Sequence, residues 1–186
     1  MKKEDLRVIK TKKNLYEGLI KTLKDKPFEE IRVSDICEVS LVNRSTFYDH
    51  FSDKYELLSS LIKDLEEELK LKLEENEKTD NIKDYYLKMI ELLLEHINEH
   101  ILIYSSILKN NNNSIASDMF RNTLLKDVEK NIKVNFQYQG KTPPEIITIF
   151  YVSGVINVCI EYIKDSKKYT KEDILKYLNK LIPNNF

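Results

Sequence analysis

Residues 31–51, IRVSDICEVSLVNRSTFYDHF, predict two short helices joined by a tight turn. Val33, Ile36 and Cys37 recur at positions i, i+3 and i+4, so they line one side of the first helix. The connection to the second helix is apolar and begins at Leu41. Two short helices joined in this way are typical of a helix-turn-helix.

The second helix of the pair has a polar outer face. Asn43 stands at its start, where an Asn side chain can accept a backbone N–H of the following turn. Phe47 and Phe51, at positions i and i+4, would pack this helix against the rest of the domain. In a helix-turn-helix the second helix lies in the major groove of DNA. The positions left to face outward are Arg44, Ser45, Thr46, Tyr48, Asp49 and His50.

The run from Lys26 to Leu58, KPFEEIRVSDICEVSLVNRSTFYDHFSDKYELL, resembles the N-terminal domain of the TetR family of bacterial transcriptional regulators. Its most specific part is the string T-F-Y-x-H-F-x-D-K at residues 46–54, and the resemblance extends over about residues 5 to 60. It departs from the family at two positions, because members usually have Gly where Leu41 stands and Thr where Arg32 stands. We therefore expect Leu41 to adopt either a strained backbone angle or a slightly different turn, at a cost of about 1 kcal/mol.

The resemblance implies a set of DNA contacts. Tyr48, His50 and Lys54 are similar to family positions that contact phosphates, which fix the register of a protein on DNA without reading sequence. The first residues of the recognition helix would face base edges, where arginine pairs with guanine and a threonine methyl group contacts thymine. The full predicted DNA-binding set is Arg32, Ser34, Asn43, Arg44, Ser45, Thr46, Tyr48, His50 and Lys54.

The composition predicts an all-α protein. The chain has 186 residues, of which 41% are hydrophobic and 33% charged, but only 3 are Gly and 4 are Pro. So few helix-breaking residues favour helices with short connections. We expect about nine helices: an N-terminal three-helix DNA-binding domain over residues 1–53, and a ligand-binding and dimerisation domain over residues 54–186 that begins with a long fourth helix and continues as a helical bundle.

Several other classes of protein are disfavoured. The longest apolar runs are far below the ~18 residues that a membrane span needs. The N-terminus MKKEDLRVIK lacks the apolar segment of a signal peptide, and Cys37 and Cys159 form neither a disulfide framework nor a zinc spacing. We therefore predict a cytoplasmic protein that is not an enzyme and needs no cofactor. The net charge is −1, and residues 1–54 carry 12 basic against 10 acidic residues, which supports DNA contact only weakly.

The predicted eighth helix opens at Pro143-Pro144 and is apolar on every side for about four turns. A helix of this kind is buried on both sides, so one side would pack within its own chain and the other would need a partner. Ser153, Gly154 and Asn157 would allow that partner to approach closely. The resemblance implies a homodimer through the eighth and ninth helices.

Residues 96–100, His-Ile-Asn-Glu-His, match H-x-x-E-H, the zinc signature of one class of metallopeptidases. A zinc hydrolase that uses His96, Glu99 and His100 is one interpretation, and a regulatory metal site is another. Against both, we expect the helix to break near residues 98–99 and separate the imidazoles, and the sequence offers no evident third ligand. We therefore interpret the pair as ordinary helix-end histidines and predict no metal.

An effector pocket inside the C-terminal bundle is a further implication of the resemblance. The candidate lining residues are polar or aromatic side chains on otherwise apolar helix faces. They are Tyr85, Tyr86, Tyr104, Tyr151, Asn157 and Cys159.

These features predict an effector-responsive repressor that binds a palindromic DNA operator as a dimer. Effector binding would move the fourth helix and change the separation of the two recognition helices, which would spoil their match to half-sites about one turn apart. The alternative is an interaction protein on the same fold, whose C-terminal domain docks a partner protein instead of a small effector.

Overall fold

The computed structural model describes residues 6–74, 82–108, 118–119, 121–122, 125–126, 128–130, 141–165 and 168–182. Every regular element in these ranges is helical, which confirms the predicted all-α class. The elements are α1 (Leu6–Asp25), a 3₁₀ turn η1 (Phe28–Glu30), α2 (Val33–Ser40), α3 (Arg44–His50), α4 (Lys54–Glu74), α5 (Ile82–Glu99), α6 (Ile101–Leu108), α7 (Pro144–Lys164) and α8 (Lys171–Leu181).

The predicted eighth and ninth helices correspond to α7 and α8. The sequence also predicts a seventh helix over about residues 114–135 and a break at residues 79–81; the helix lies mostly, and the break wholly, outside the described residues. The chain forms two compact units, Met1–Leu65 with Ser106–Met119, and Glu66–Ser105 with Phe120–Phe186. Their boundary falls within α4, whereas the sequence analysis divides the chain at residue 53. The ranges 1–53 and 54–186 stay a prediction as functional domains.

The first unit is organised by a close crossing of α1 and α2. Gly18 permits this crossing, because a Cβ at that position would lie 2.9 Å from the carbonyl oxygen of Ile36 and 2.8 Å from the Cβ of Ser40. The apolar stripe of α1 is buried from Leu15 to Leu23, whereas Leu6 and Ile9 near its start are exposed. The buried side chains of this unit include Leu15, Leu19, Leu23, Phe28, Ile31, Ile36, Phe47, Phe51, Leu57 and Leu58.

Helix α4 joins this core through its first half. Asp53 caps its N-terminus, since its carboxylate accepts the backbone N–H groups of Tyr55 and Glu56, both at 2.8 Å. Further along α4, the Tyr16 hydroxyl from α1 lies 2.8 Å from Ser60 Oγ and 2.8 Å from Asp64 Oδ2. Helix α4 is therefore fixed to the first unit both at its start and near its middle.

Leu41 closes the turn between α2 and α3 in a left-handed conformation, with φ 55° and ψ 34°. The backbone N–H of Val42 donates to the carbonyl of Cys37 at 3.1 Å, which is the hydrogen bond of a Schellman motif at a helix C-terminus. In this motif the left-handed position, here Leu41, is usually glycine. The Leu41 side chain is 93% exposed, so packing does not offset the backbone strain. The expected strained angle is confirmed.

In the second unit, α5, α7 and α8 enclose an apolar core. The Tyr162 hydroxyl donates to Asn98 Oδ1 at 2.9 Å, and Lys171 Nζ pairs with Glu95 at 2.8 Å, which ties the ends of α7 and α8 to α5. Thr170 caps α8, and its hydroxyl oxygen accepts the backbone N–H of Asp173. By length and composition α7 could cross a membrane, but half of its apolar window is buried inside the protein, as in a core helix.

We expect Leu41→Gly to raise the free energy of unfolding by about 1 kcal/mol, because glycine relieves the left-handed strain and no packing is lost. Urea unfolding followed by circular dichroism measures the change. Leu71→Gly is the matched control: Leu71 is 61% exposed inside α4, where glycine costs about 1 kcal/mol. If both substitutions lowered stability equally, Leu41 would not be strained.

Candidate nucleic-acid interface

Two buried phenylalanines hold α3 against the first unit. Phe47 is fully buried and Phe51 is 4% exposed, and their ring centroids are 6.0 Å apart. The Tyr16 ring of α1 packs beside Phe51 at 6.5 Å. Because these rings lie on one side of a helix of seven residues, the opposite side of α3 faces solvent.

The outward face of α3 is polar and unengaged. Arg44, Ser45 and Tyr48 are exposed, whereas Thr46 and His50 are half-buried. The side chains of Arg44, Ser45, Thr46 and Tyr48 make no hydrogen bond to another residue within the described ranges. The Tyr48 ring packs edge-on against Phe47 at 5.4 Å and keeps half of its surface in solvent. The buried phenylalanine rings therefore support a helix face whose hydroxyl and guanidinium groups can bind a ligand.

Three more residues of the predicted set flank this face. Arg32, Ser34 and Asn43 are all exposed, at the starts of α2 and α3. Asn43 occupies the N-cap position of α3 as predicted, but its side chain does not accept the expected backbone N–H. The Asn43 amide therefore remains available at the start of the recognition helix.

Asp35 stabilises the start of α2, a role that the sequence analysis missed. Its carboxylate accepts the Arg32 backbone N–H at 3.1 Å and the Lys26 ammonium at 2.9 Å. The hydrogen bond from Lys26, followed by that from the Arg32 backbone, lowers the pKa of Asp35. Asp35 stands three residues after the N-cap, the position of the acidic partner in a capping box, so this contact could have been predicted.

Lys54 is engaged inside the protein. Its Nζ donates to the backbone carbonyls of Phe28, Glu29 and Ile31 at 2.8, 2.9 and 2.8 Å. An ammonium has three N–H donors, so all of them are used in this arrangement. The ammonium also lies 4.9 Å from the centre of the Phe28 ring. This geometry weighs against the phosphate contact that the sequence analysis assigned to Lys54 and gives it a structural role.

The second unit contains a small apolar cavity of about 30 Å³. Two of the predicted ligand-binding residues, Tyr86 and Tyr151, contribute to its wall. Burial raises the pKa of Tyr86, so its hydroxyl stays neutral at physiological pH. The residues that line the cavity are Leu69, Tyr86, Met89, Ile90, Leu93, Val128, Tyr151, Val152, Val155, Ile156 and Ile182.

The other predicted ligand residues lie apart from the cavity lining. Tyr85 is half-buried and packs edge-on against Tyr86. Asn157 is exposed and donates to the backbone carbonyl four residues earlier on α7. Cys159 is buried, which raises the pKa of its thiol to about 12 and makes it unreactive. Tyr104 is also buried, and its hydroxyl contacts His96.

The expected separation of His96 and His100 is wrong. Helix α5 continues to Glu99, the His100 N–H reaches the His96 carbonyl at 3.0 Å, and the two imidazole centroids are 4.5 Å apart. Glu99, the acidic residue of the H-x-x-E-H motif, forms an ion pair with Lys72 of α4. The histidines therefore share a helix face, whereas Glu99 is engaged elsewhere.

We expect Lys54→Met to lower the free energy of unfolding by about 2 kcal/mol, because it leaves three carbonyls of the η1 region without their charged donor. Thermal unfolding measures the loss. The matched control is Lys21→Met, which removes an exposed lysine of α1 and should change stability by less than about 0.5 kcal/mol. Equal melting temperatures for the two variants would show that the Lys54 contacts do not stabilise the domain.

The comparisons with known proteins cover both units. Residues 80–184 match the model of a "Transcriptional regulator C-terminal region", and residues 15–61 match that of "Bacterial regulatory proteins, tetR family". The HTH-type transcriptional regulator YxbF of Bacillus subtilis (strain 168) is 39% identical over 62 residues, which span 33% of this chain and 16% of that protein.

Two solved structures have a similar fold over nearly the whole chain. One is a TetR-family transcriptional regulator of Syntrophomonas wolfei str. Goettingen, with a TM-score of 0.75 at 18% identity and 92% coverage of both chains. The other is the TetR transcriptional regulator of Streptococcus agalactiae 2603V, with a TM-score of 0.67 at 24% identity and 94% coverage of both. With a C-terminal match over more than half of its length and an N-terminal match over its helix-turn-helix, the chain belongs to the TetR family of bacterial transcriptional regulators.

Proposed function

We propose that this regulator is a repressor that binds a palindromic operator as a homodimer and releases it when an effector binds the second unit. The observation that carries the proposal is the face of α3, where exposed polar side chains project from a helix held by Phe47 and Phe51. A rigid helix with unengaged donors can match the edges of base pairs. Like other members of its family, the protein would act in the cytoplasm and would not be an enzyme.

The DNA contacts divide by chemistry. Arg44, Ser45 and Thr46 are at the start of α3, the part of a recognition helix that contacts base edges. Tyr48 and His50 would contact phosphates, which position the domain on the duplex. Arg32, Ser34 and Asn43 are exposed on the flanks of α3 and suit the same role. Lys54 would contribute by holding the domain together.

The exposed apolar face of α7 supports dimerisation. Ile146, Ile149 and Phe150 are 54%, 53% and 71% exposed, and they follow the i, i+3, i+4 spacing of one helix face. Gly154 continues this face, and a Cβ there would have no atom within 4 Å in the single chain. Exposed apolar residues on one face mark an interaction site. In a dimer with two-fold symmetry, the α7 faces of the two subunits would pack against each other and both would be buried in one interface.

The effector step would act through α4. This helix is continuous from Lys54 to Glu74, so it carries both the lysine that holds η1 and residues of the second unit. A ligand that prefers one position of α4 would shift the population of DNA-binding dimers.

A second function, docking of a partner protein by the C-terminal domain, is favoured by the size of the cavity. About 30 Å³ is far below the several hundred Å³ of a typical small-molecule pocket. The face of α7 around Phe150 would then bind the partner in place of a second copy.

The first experiment titrates the purified protein into DNA from upstream of its own gene at several salt concentrations. We expect nanomolar binding that weakens steeply with salt. Arg44→Ala should cost about 1–3 kcal/mol and relax specificity at one base position. Tyr48→Ala should weaken binding to all sequences by about tenfold, because a phosphate contact carries no sequence information.

Tyr169→Ala is the matched control, since Tyr169 is 44% exposed and Tyr48 is 51% exposed. It should leave DNA binding unchanged. If the wild-type protein bound this DNA no better than random DNA, regulation of its own promoter would be excluded, and docking of a partner protein would become the leading function.

The interface is tested by Phe150→Lys. Because the interface is symmetric, the substitution removes one buried Phe150 side chain from each subunit. Burial of each contributes at least about 1.5 kcal/mol to association, so the dimer dissociation constant should rise by at least about 100-fold. Analytical ultracentrifugation measures the dissociation constant. Leu71→Lys, an exposed apolar residue of α4, is the control and should leave it unchanged. A Phe150→Lys protein that dimerises as tightly as wild type would place the interface elsewhere.

A further inference from the structure

A carboxylate and two imidazoles meet in the second unit. Glu68 of α4 faces His96 of α5 and His100, the next residue after α5. Their potential ligand atoms all lie within 4.8 Å of one another. Glu68 Oε1 is 3.0 Å from His100 Nε2, and Glu68 Oε2 is 3.5 Å from His96 Nε2.

The His96 imidazole is the most informative member of this cluster. It is fully buried, and within the described residues its Nε2 makes no short hydrogen bond, since its ion-pair contact with Glu68 Oε2 is 3.5 Å long. This contact is long for a hydrogen bond, so it satisfies the buried nitrogen only weakly. This nitrogen points at Glu68, and a bound ion between the two would satisfy it.

The other nitrogen of His96 is already fixed. Nδ1 lies 2.8 Å from the hydroxyl of Tyr104, which is itself buried. If Nδ1–H donates to that oxygen, the lone pair of Nε2 faces the cluster. Metal-binding histidines are oriented in this way, by a hydrogen bond on the nitrogen that does not bind the metal.

From this geometry we propose that Glu68, His96 and His100 bind one divalent transition metal ion, with zinc as the best match. Two imidazole nitrogens and a carboxylate are a known zinc ligand set, and they leave a fourth position for water. At zinc–ligand distances of about 2.0–2.1 Å, neighbouring ligands of a tetrahedral site are about 3.3 Å apart. The 3.0 and 3.5 Å contacts involve the two different oxygens of Glu68, and one ligand atom from each of the three residues lies within 4.8 Å of the others, so small side-chain shifts would complete the site. Calcium and magnesium are disfavoured because they prefer oxygen ligands.

The charges at the site are compatible with a cation. Glu68 supplies an anionic ligand whose carboxylate lies within 3.5 Å of both imidazoles. The nearest cation, Lys72, is paired with Glu99. The side chain of Glu68 is 45% exposed, which opens the site to solvent.

The ion would link α4 to α5, and this gives the site a regulatory use. It would act as the effector, or as a co-effector, by favouring one position of α4. This role rests on the proposed repressor function, whereas the metal site itself does not.

The test is a zinc titration of the full-length, untagged protein in competition with a coloured chelator. We expect one zinc per chain. Glu68→Gln and His100→Asn should each weaken binding by at least about tenfold, because each removes a ligand. Glu67→Gln is the matched control, since it removes the neighbouring exposed carboxylate of α4 and should leave the affinity unchanged. Circular dichroism checks that each variant is folded, and His96 is left intact because its burial makes substitution disruptive.

Zinc below one per chain at micromolar free metal, or equal affinity in wild type, Glu68→Gln and His100→Asn, would overturn the site. Operator binding of the same proteins with and without zinc is a separate readout. A zinc-dependent change that Glu68→Gln abolishes supports the effector role, and an unchanged operator affinity overturns that role. Absence of operator binding in every protein, together with normal zinc binding, would instead count against the proposed repressor.

Discussion

The arrangement of the DNA-binding unit depends on one ammonium group. Lys54 Nζ donates to three backbone carbonyls at the η1 region, and these carbonyls belong to the segment that turns the chain from α1 into α2. Partial burial of the ammonium lowers its pKa, an unfavourable effect that its hydrogen bonds and its contact with the Phe28 ring offset. Because Lys54 is also the first residue of α4, the same contact fixes where α4 begins relative to the turn.

Two backbone constraints then position the recognition helix. Gly18 lets α1 approach α2 closely, and Leu41 takes a left-handed conformation that directs the chain from α2 into α3. Neither residue would contact DNA in our proposal, yet both determine which way α3 points. The strain at Leu41 is stored in an exposed turn next to the interface, and the buried Phe47 and Phe51 maintain it by fixing the helix on the other side of the turn.

The local features of the fold could be predicted from the sequence because they depend on neighbouring residues. Helical spacing gave the limits of α1, α5 and α8 to within a few residues, and the caps at Asp53 and Thr170 are where side-chain chemistry places them. The site was predicted less completely. The exposed face of α3 can be predicted from the helical periodicity of its own residues. The hydrogen-bond partners of Lys54, in contrast, lie 23 to 26 residues earlier in the chain, and no local sequence pattern indicates them.

The same limit explains the histidines. Their i, i+4 spacing is visible in the sequence, but Glu68 lies 28 residues before His96 on another helix and becomes a neighbour only when α4 and α5 pack together. This packing also leads to the proposed effector. A cavity of about 30 Å³ with apolar walls offers little room to a small organic molecule, whereas a metal ion needs only converging ligand atoms. In the described part of the second unit, Glu68, His96 and His100 form a cluster of converging ligand atoms, and the His96 imidazole is fully buried. The chemistry of this unit therefore supports a cation, in preference to an apolar ligand, as the effector in the proposed mechanism.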